Sequence, residues 1–435
     1  IEEGSDKRIR HKNSPGVVAM RSILQENLAL GAVSTPPNLI AFMVELAAPS
    51  GVVHVLEPAC GDAPFLAAFA ARYGNHHGLV GLEIDRAAAW LARQRVPSAQ
   101  ILEDDFLLWE SDTTFDIILG NPPYGIIGHE SHYPIHTLKE RKAAYKRRLK
   151  TWRGKFNIYG AFMERAVDLL KPNGKLVFVV PASWLVLDDF AILRRYLALK
   201  GKLRIYYLDK AFPGRSISVV VFVLERGKQG LELYDGTRLV LQKPSYQGEI
   251  IRFEIPEALA FEQNGIPLGE VFNIYFAARS PQIRRHPQVI NSARAGQNIP
   301  VGYVPVLTGR NLHRGWIDYE HCYSGFWMPK EAAATLRAFY MFPHIVVGHT
   351  KGTRVVAALD ERCYPWREEF HLVARDRTVG LAEQQALVHY LISDPVQEYV
   401  RTLYRNVVPH LTKPMLERVP IPNDLYARYT RLTLF

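Results

Sequence analysis

The first half of the chain is predicted to form an α/β domain around a parallel sheet, and the second half a separate domain of mixed α and β structure. Up to about residue 235, strand-like apolar runs alternate with amphipathic helix-like stretches, and glycine or proline marks most borders between them. Beyond residue 235 the alternation stops. Strands that alternate with helices are typical of βαβ units, which build parallel sheets.

The strands of the first half are short runs rich in valine, isoleucine and leucine. The predicted strands are 52–58, 78–85, 99–106, 115–123, 175–185, 203–209 and 218–226. The predicted helices, in which apolar residues recur with helical spacing, are 64–74, 86–95, 157–174 and one near 187–200. The first of these helices ends in glycine and the third in Pro-Asn-Gly, which are common stop signals.

The second half contains short strand-like pieces that proline, glycine and asparagine interrupt. These pieces are 248–256, 269–281, 302–312 and 344–360. Helical stretches are predicted near 330–340, 381–393 and 394–404. Short strands mixed with helices, without a repeating unit, predict a second domain of mixed α and β structure.

The bulk composition is that of a globular protein with two cores. The chain has 435 residues, of which 48% are apolar and 22% charged, and this length favours two domains. We expect a flexible lead-in at 1–32, a first domain at 33–235 and a second at 236–435. No apolar run of about 18 residues is present, so no membrane partner is expected. The lead-in also has no apolar core of the kind that a signal peptide needs.

The cysteines and the net charge narrow the class of protein further. Cys60, Cys322 and Cys363 show no paired spacing, so neither a disulfide framework nor a zinc site is expected. A reducing, cytoplasmic location is therefore the expectation. The net charge of +10 fits a polyanionic partner such as nucleic acid.

The tetrapeptide Asn121-Pro122-Pro123-Tyr124 follows a predicted strand, where open α/β sheets place their ligands. Its structural alternative is a rigid turn with a surface tyrosine. An exocyclic amine is planar and weakly nucleophilic because its lone pair is delocalised. Two acceptors directed at its N–H bonds can hold it and enrich the nitrogen. The Asn121 side-chain oxygen and the Pro122 carbonyl are the predicted acceptors, and Tyr124 can stack on a flat ring.

An amine needs an electrophile, and the segments upstream predict a nucleotide-type pocket. Residues 57–65 (EPACGDAPF) join a strand to a helix N-terminus. Glu83 ends the next strand and could accept two ribose hydroxyls, while Asp105 and Phe106 end the third and could bind an adenine. Taken singly, an ordinary turn, a helix cap at Asp85, a capping acid and a core phenylalanine are structural alternatives. Their common position at strand ends, in this order, favours the pocket.

The order of STPP, EPACGDAPF, GLEID, EDDF and NPPYGIIG along the chain resembles the γ-class S-adenosylmethionine-dependent DNA adenine-N6 methyltransferases, and among them the TaqI-type enzymes. The resemblance covers about residues 33–420. It implies a Rossmann-like S-adenosylmethionine-dependent methyltransferase domain followed by a mixed α/β target-recognition domain, with double-stranded DNA in the cleft between them. The implied activity is methylation of N6 of a flipped-out adenine in a short, TCGA-like palindrome. Such a protein acts as the modification enzyme of a restriction–modification system, as a monomer, with a separate restriction endonuclease.

The resemblance also assigns roles to individual residues. Those that it implies for cofactor binding are Thr35, Glu57, Ala59, Glu83, Ile84, Asp105, Phe106, Asn121 and Pro123. Those that it implies for catalysis are Asn121, Pro122, Tyr124 and Phe212, with the two aromatic rings beside the flipped adenine. No metal is implied. The single glycine of CGDAPF departs from the general family pattern and resembles the departure of the TaqI-type enzymes.

Basic segments predict where DNA would be held. Residues 139–155 contain nine lysines and arginines and one glutamate, shortly after NPPY, and are predicted to contact phosphates. A solvated helix face is the structural alternative. In the second half, 279–287, 308–315 and 349–354 combine basic residues with turns and are candidate DNA-contacting loops.

Other reactions remain open beside adenine methylation. NPPY also occurs in methyltransferases that act on a release-factor glutamine or on guanine N2 of ribosomal RNA, which generally lack such a C-terminal domain. Cytosine-N4 transfer more often has serine in place of Asn121. Cytosine-C5 transfer needs a cysteine nucleophile after proline, whereas Cys60 follows Ala59. A DNA-binding module with an inactive methyltransferase fold is disfavoured by the intact Asn121, Glu83 and Asp105.

Overall fold

The computed structural model describes two compact units. The residues that it describes are 34–128, 134–135, 138–154, 156–209, 211–212, 218–292, 299–375 and 379–430. The predicted lead-in at 1–32 lies outside them. The first unit runs to Ile250 except for Leu185–Asp188, which belong with Ile251–Phe435 in the second unit.

The first unit is built on one nine-stranded sheet and one short strand pair. Its strands are β1 (His54–Pro58), β2 (Gly78–Glu83), β3 (Gln100–Glu103), β4 (Phe115–Gly120), β5 (Ile126–Ile127), β6 (Pro134–Ile135), β7 (Leu170–Pro181), β8 (Gly201–Leu208), β9 (Val219–Arg226), β10 (Leu231–Asp235) and β11 (Arg238–Lys243). The order in the sheet is β11-β10-β8-β9-β7-β4-β1-β2-β3, while β5 pairs with β6. The seven predicted strands are present, with ends that differ by a few residues.

The sheet is mixed, so the prediction of a parallel sheet is wrong on one side. Neighbours among β1, β2, β3, β4 and β7 pair in parallel, and β8 pairs in parallel with β10. However, β9 lies between β7 and β8 and is antiparallel to both. A parallel return needs a crossover of about a dozen residues or more, usually a helix. The connection from Leu208 to Val219 is too short for one.

The strands β10 and β11 form a hairpin that continues the same sheet. Leu231 of β10 pairs with Leu203 of β8 on one side and with Lys243 of β11 on the other. Gly236 makes the hairpin turn at φ 60°, a backbone conformation that glycine adopts without steric cost. The predicted domain boundary after residue 235 therefore falls inside this hairpin, and the first unit continues to Ile250.

The described residues of the first unit also contain six helices. They are α1 (Pro37–Leu46), α2 (Pro64–Tyr73), α3 (Arg86–Arg95), α4 (Lys142–Arg148), α5 (Ile158–Asp168) and α6 (Ala191–Lys200). Met43 of α1 and Phe69 of α2 join Val55 of β1 in one buried apolar cluster. Burial of such side chains fixes the helices next to the strand ends that carry polar residues.

The helix predicted at 157–174 ends earlier than expected. The observed α5 stops at Asp168, and Leu170 already pairs with Phe115 at the start of β7. The pairing register then shifts, and Asn173 takes a positive φ of 63°. The Pro-Asn-Gly stretch is thus an irregular entry into a strand, because proline cannot continue a helix.

The second unit contains smaller sheets and short helices. Its strands are β12 (Gly265–Pro267), β13 (Phe272–Phe276), β14 (Ile290–Asn291), β15 (Tyr303–Pro305), β16 (Leu312–His313), β17 (Trp316–Ile317), β18 (Phe326–Pro329), β19 (His344–Val347), β20 (Ala357–Asp360), β21 (Phe370–Ala374) and β22 (Pro420–Pro422). Its helices are α7 (Pro256–Gln263), α8 (Leu268–Val271), α9 (Ser280–Arg285), α10 (Ala333–Leu336), α11 (Leu381–Leu391), α12 (Asp394–Tyr404), α13 (Lys413–Glu417) and α14 (Asn423–Thr430). In the described residues of both units, every helix is too short or too polar to cross a membrane.

The largest sheet of the second unit has the order β13-β21-β19-β20 and is antiparallel. A second sheet has the order β14-β18-β15, and the pairs β12–β22 and β16–β17 complete the unit. The strand predicted within 248–256 is absent. Ile251 donates its N–H to Leu185 and Phe253 donates to Leu403, so this segment bonds two different partners and builds no ladder with either.

Two histidines form a buried pair inside the antiparallel sheet. His344 Nδ1 donates to the Phe342 carbonyl at 2.8 Å, and its Nε2 lies 2.7 Å from Nδ1 of His371. Because Nδ1 carries the proton, a neutral His344 accepts at Nε2 from His371. Burial lowers the pKa of His344 and lowers that of His371 further below its ordinary value. Both rings are therefore neutral in the folded protein.

This pair should make the protein less stable in mild acid. The unfolded chain binds protons at these histidines below about pH 6.5 while the folded protein does not, so the free energy of unfolding should fall by up to about 1.4 kcal/mol per pH unit per histidine. The variant His371→Asn places an amide N–H near the position of Nδ1 and removes one titrating group. Urea denaturation between pH 5.5 and 7.5 should show a shallower dependence for this variant. The exposed His389→Asn serves as control, and an unchanged slope in His371→Asn would contradict the explanation.

Candidate active site

One cavity of about 780 Å³ opens where β1, β2 and β4 end. All nine residues that were predicted to bind a cofactor line it: Thr35, Glu57, Ala59, Glu83, Ile84, Asp105, Phe106, Asn121 and Pro123. The structure thus brings together side chains that are far apart in sequence. They meet because parallel strands end at the same edge of a sheet.

The loop from β1 to α2 is a tight turn with unusual backbone angles. Ala59, Gly61 and Ala63 have φ values of 51°, 56° and 57°. Glycine adopts this region freely, whereas each alanine is strained there by about 1–2 kcal/mol. The Cys60 N–H donates to the Leu82 carbonyl at 2.8 Å, which ties the loop to the end of β2. A loop held in this way keeps its shape at the cavity wall.

Glu57 closes the N-terminus of α2 from the adjacent strand. Its carboxylate accepts from the backbone N–H groups of Phe65 at 3.4 Å and Leu66 at 2.8 Å. Since Ala63 makes no side-chain cap, Glu57 supplies the cap instead. Burial raises the pKa of Glu57 well above its ordinary value, against the effect of these two hydrogen bonds. A cationic ligand group in the cavity would favour the ionised form of this buried acid.

Glu83 joins the turn after β2 to the loop after β1. Its Oε2 accepts from the Gly61 N–H at 2.7 Å, and its Oε1 accepts from the Asp85 N–H at 2.9 Å. Burial raises the pKa of Glu83. Asp85 accepts from Ala88 at 2.8 Å, so the interpretation of Asp85 as a helix N-cap is confirmed. These two contacts hold Glu83 in the cavity wall, where it can accept hydrogen bonds from hydroxyl groups.

Asp105 and Phe106 line the cavity just after the end of β3. The ring of Phe106 lies against that of Phe162, with 5.0 Å between centroids and an angle of 31°. Phe162 also lines the cavity, although the sequence did not single it out. It lies on the buried face of α5, and periodicity alone cannot distinguish a pocket ring from a core ring. Two aromatic rings beside a carboxylate suit a flat heterocycle with an amino group.

The NPPY loop is held at both ends. Asn121 Nδ2 donates to the Thr35 hydroxyl at 2.9 Å, and the Tyr124 hydroxyl donates to the Val179 carbonyl at 3.1 Å. After the loop, the Gly125 N–H donates to Asn157 Oδ1 at 2.9 Å. Proline restricts the backbone between these contacts. The position of Asn121 at the cavity is therefore fixed by its surroundings.

Three predicted catalytic residues do not line the cavity in the described structure. Pro122 is buried beside it. Tyr124 is 2% exposed, and its ring packs edge to face against Tyr159. Phe212 is 4% exposed and belongs to the apolar cluster of the first unit. The surface-tyrosine alternative for NPPY is therefore wrong, because the Tyr124 ring packs inside the unit.

The cysteine at the cavity is a poor nucleophile. Cys60 is 2% exposed, and burial raises the pKa of its thiol, with a further contribution from the nearby Glu57 and Glu83. A thiol attacks as the thiolate, and this environment disfavours the thiolate. The chemistry of a cysteine-dependent cytosine-C5 transfer is thus unsupported here.

The basic segment 139–155 divides into inward and outward cations. Arg141 bonds Asp105, Lys142 donates to the Ile127 carbonyl at 2.6 Å, and Arg148 bonds Glu110. The exposed cations with described side chains are Lys139, Arg141, Lys146, Arg147, Lys150 and Arg153. Arg141 belongs to both sets, because it is exposed and also bonds Asp105. The solvated-face alternative is therefore correct for only part of the run, since several of its cations build the protein itself.

Two of the candidate DNA-contacting loops of the second unit lie next to each other. Glu369 accepts from the His349 N–H and, at 2.7 Å, from the Thr350 hydroxyl, while the neighbouring Glu368 accepts from the Gly309 N–H at 3.1 Å. A Cβ on Gly309 would collide with Glu369 and Thr350. The loops are thus joined at their bases by acidic side chains. The exposed cations of these loops are Arg310, Arg314 and Arg354, of which Arg314 bonds Asp394 at 3.2 Å. The loops were predicted, and their acidic anchors were not.

Comparisons with known proteins give separate family matches for the first and the second unit. Residues 304–421 match the TaqI-like C-terminal specificity domain, and residues 81–211 match the Eco57I restriction-modification methylase family. The type II methyltransferase M.TthHB8I of Thermus thermophilus is 54% identical over 401 residues, which cover 90% of this chain and 91% of that protein. The type II methyltransferase M.CvrRI of a Paramecium bursaria Chlorella virus is 29% identical over 212 residues, 46% of this chain and 49% of that protein. The DrdV–DNA complex has a similar fold, with a TM-score of 0.50 at 13% identity over 82% of this chain and 50% of that chain.

These relationships extend over both units, and the cavity fits the cofactor that they indicate. S-adenosylmethionine carries an adenine, a ribose and a charged methionine part. The cavity offers Phe106 and Phe162 for a ring, and carboxylates for amino, hydroxyl and cationic groups. S-adenosylmethionine is thus the cofactor, and the chain belongs to the type II DNA methyltransferases.

Proposed function

We propose that this protein is a site-specific DNA methyltransferase that transfers a methyl group from S-adenosylmethionine to N6 of adenine. The observation that carries the proposal is the position of Asn121. It lines the cavity directly after β4, and its amide plane is fixed by donation from Nδ2 to the Thr35 hydroxyl. An amide oriented at the edge of the cofactor cavity is suited to accept a hydrogen bond from an exocyclic amine.

The protein activates the amine by position and hydrogen bonding. Asn121 Oδ1 and the Pro122 carbonyl each accept one N–H of the target amine, which holds the nitrogen and draws its electrons out of the ring. The amine loses its proton after attack, so no carboxylate base is required. Asn121 and the proline-restricted backbone are preorganised, and orientation supplies much of the rate enhancement without a covalent enzyme intermediate.

The remaining wall of the cavity binds the cofactor. When bound, S-adenosylmethionine supplies a methyl group that its sulfonium makes electrophilic. Glu83 would accept hydrogen bonds from the ribose hydroxyls, Asp105 would accept one from the adenine amino group, and Phe106 would contact the adenine ring. The methionine part and the edges of the adenosine are bounded by Thr35, Glu57, Ala59, Ile84 and Pro123.

An adenine in a duplex must leave the base stack to reach Asn121, so we infer base flipping. We assign Tyr124 and Phe212 to the two faces of the flipped base. Both rings are buried among the described residues, and Tyr124 is also anchored through its hydroxyl. Capture of the base therefore requires a displacement of the groups that now cover these rings.

We assign sequence reading to the second unit, in support of which residues 304–421 match a specificity domain. A short TCGA-like palindrome follows from the resemblance to the TaqI-type enzymes. A monomer is sufficient for such a site, because each strand can be methylated in its own event. We infer that the protein is the modification enzyme of a restriction–modification system, with the endonuclease as a separate protein.

Methyl transfer from labelled S-adenosylmethionine tests the proposal directly. Unmethylated plasmid DNA should become labelled, and mapping should place N6-methyladenine at one short palindrome. Ribosomal RNA and a release-factor peptide with a glutamine substrate are the parallel samples. Label in either of these, or N4-methylcytosine in the DNA, would refute the proposed base and leave the cofactor assignment intact.

Asn121→Ala should lower the methylation rate by about 10²–10³-fold, because it removes an acceptor that acts on the reacting amine. DNA affinity, measured by fluorescence anisotropy, should change little. Thr35→Val is the matched variant, since it keeps Asn121 and removes the hydroxyl that orients it; its rate is measured at saturating S-adenosylmethionine because Thr35 also lines the cofactor cavity. Its rate should fall less. Retention of full activity by Asn121→Ala would disprove the role of NPPY.

DNA binding should weaken with salt, and the outward cations of 139–155 should contribute to that dependence. Each phosphate contact contributes about 0.9 to the slope of log K against log salt. The double variant Lys146→Gln/Arg147→Gln should therefore have a slope shallower by about 1–2. The control is Lys228→Gln. Lys228 follows β9, which is antiparallel to β7, and therefore lies at the end of the sheet opposite to the cavity. Equal slopes for the double variant and the control would remove the basic segment from the interface.

A further inference from the structure

The carboxylate of Asp105 accepts hydrogen bonds from two residues of the basic segment 139–155. Its Oδ2 accepts from Arg141 Nη1 at 2.8 Å and from the Tyr145 hydroxyl at 2.6 Å. Its Oδ1 accepts from the Leu107 N–H at 3.0 Å. Asp105 is 7% exposed and Tyr145 is 1% exposed, so the bond between them is sheltered from water, whereas the Arg141 side chain is 45% exposed.

These contacts leave the carboxylate with a defined acceptor capacity. Two carboxylate oxygens offer about four lone-pair positions. Among the described residues, Arg141 and Tyr145 occupy both positions on Oδ2, and Leu107 occupies one on Oδ1. About one acceptor position therefore remains on Oδ1. Since Asp105 lines the cavity, that position can serve one N–H of a ligand.

The Arg141 guanidinium and the Tyr145 hydroxyl both act as hydrogen-bond donors to Asp105. Arginine has donors and no acceptor. Its hydrogen bond to Asp105 raises the pKa of Arg141. Burial, and then the bond to Asp105, raises the pKa of Tyr145, so its hydroxyl stays protonated. Two donors on Oδ2 orient the Asp105 carboxylate, so it presents Oδ1 to the cavity as a hydrogen-bond acceptor.

The donors are themselves held in place. The ring of Tyr145 stacks on Trp152, with 6.4 Å between centroids and an angle of 26°. Downstream, the buried Glu164 of α5 accepts from the backbone N–H groups of Lys150 at 2.8 Å and Thr151 at 2.9 Å. The helix α4 and its exit are thus tied to α5. The same segment forms part of the cavity wall through Tyr145 and Leu138.

We propose that Arg141 and Tyr145 are positioning residues that make Asp105 a fixed, accept-only partner for the 6-amino group of the cofactor's adenine, and so select adenine over a 6-oxopurine. The inference rests on the proposed role of Asp105 in cofactor binding. An amino group donates to the remaining position on Oδ1. A 6-oxo oxygen would face Asp105 Oδ1 instead. Both atoms are acceptors, so they repel each other and neither receives a hydrogen bond.

Removal of either donor should relax this selection by two routes. Without Tyr145 the carboxylate has room to rotate away from its single orientation. Without Arg141 the carboxylate loses the other donor to Oδ2, so it can turn and no longer presents Oδ1 to the ligand in one orientation. Both routes lower the preference for adenine and leave the ribose and methionine contacts unchanged.

Calorimetric binding of S-adenosylhomocysteine and of its 6-oxo analogue, S-inosylhomocysteine, tests the inference without any turnover. The ratio of the two dissociation constants is the measure of selection. Tyr145→Phe keeps the buried ring, and Arg141→Met keeps the aliphatic length. Each should lower the ratio by about tenfold, the equivalent of one charge-assisted hydrogen bond. Asp105→Asn should lower it further, because an amide N–H can donate to the 6-oxo group.

The control is Arg148→Met, on the same helix but bonded to Glu110. It should keep the wild-type ratio, and thermal unfolding should show that all variants remain folded. An equal fall in Arg148→Met would mean that any disturbance of α4 has this effect, which overturns the inference. If Asp105→Asn loses selection while Tyr145→Phe and Arg141→Met retain it, the positioning role is wrong and the proposed function stands. If the wild-type protein binds neither ligand, the proposed function itself has failed.

Discussion

The parallel pairing of β1 with both β2 and β4 is the constraint on which the site depends. Val55 of β1 is paired with Leu79 on one side and Ile117 on the other. This register sets where each strand stops, and a polar residue of the cavity lies at or next to each of these strand ends. A slip of one strand against its neighbour would separate the carboxylates of the cavity from one another and from the Asn121 amide. The pairing of the strands therefore determines the positions of the site residues, and the loops add the remaining contacts.

The acids of the cavity serve the fold as well as the ligand. Glu57 caps α2, Glu83 bonds the Gly61 loop, and Asp105 bonds the helix that carries the basic run. Each carboxylate thus has oxygens committed to backbone or side-chain donors and is already oriented without a ligand. This arrangement removes part of the ordering cost that binding would otherwise carry. It also means that substitution of such an acid changes local structure and ligand affinity together.

Much of the cavity could be predicted from the sequence because its residues follow apolar strands directly, where order along the chain determines position in space. Glu83 and Asn121 are examples. Contacts made through tertiary packing could not be predicted: Phe162 reads as a core residue of α5, and Arg141 reads as one member of a charge run. The antiparallel course of β9 and the early end of α5 were missed for a related reason. Both depend on which strands pair, whereas local propensity describes only the segment itself.

The acidic anchors of the second unit bear on how target specificity can change. Gly309 has no room for a side chain, and Glu369 adopts a strained φ of 96° while it holds the neighbouring loop. The bases of both loops are therefore nearly closed to substitution, whereas Arg310 and Arg354 project from them into solvent. We therefore expect substitutions at the projecting positions to be tolerated better than substitutions at the anchors. A library aimed at new recognition sequences should randomise those tips and leave the glycine and the two glutamates untouched.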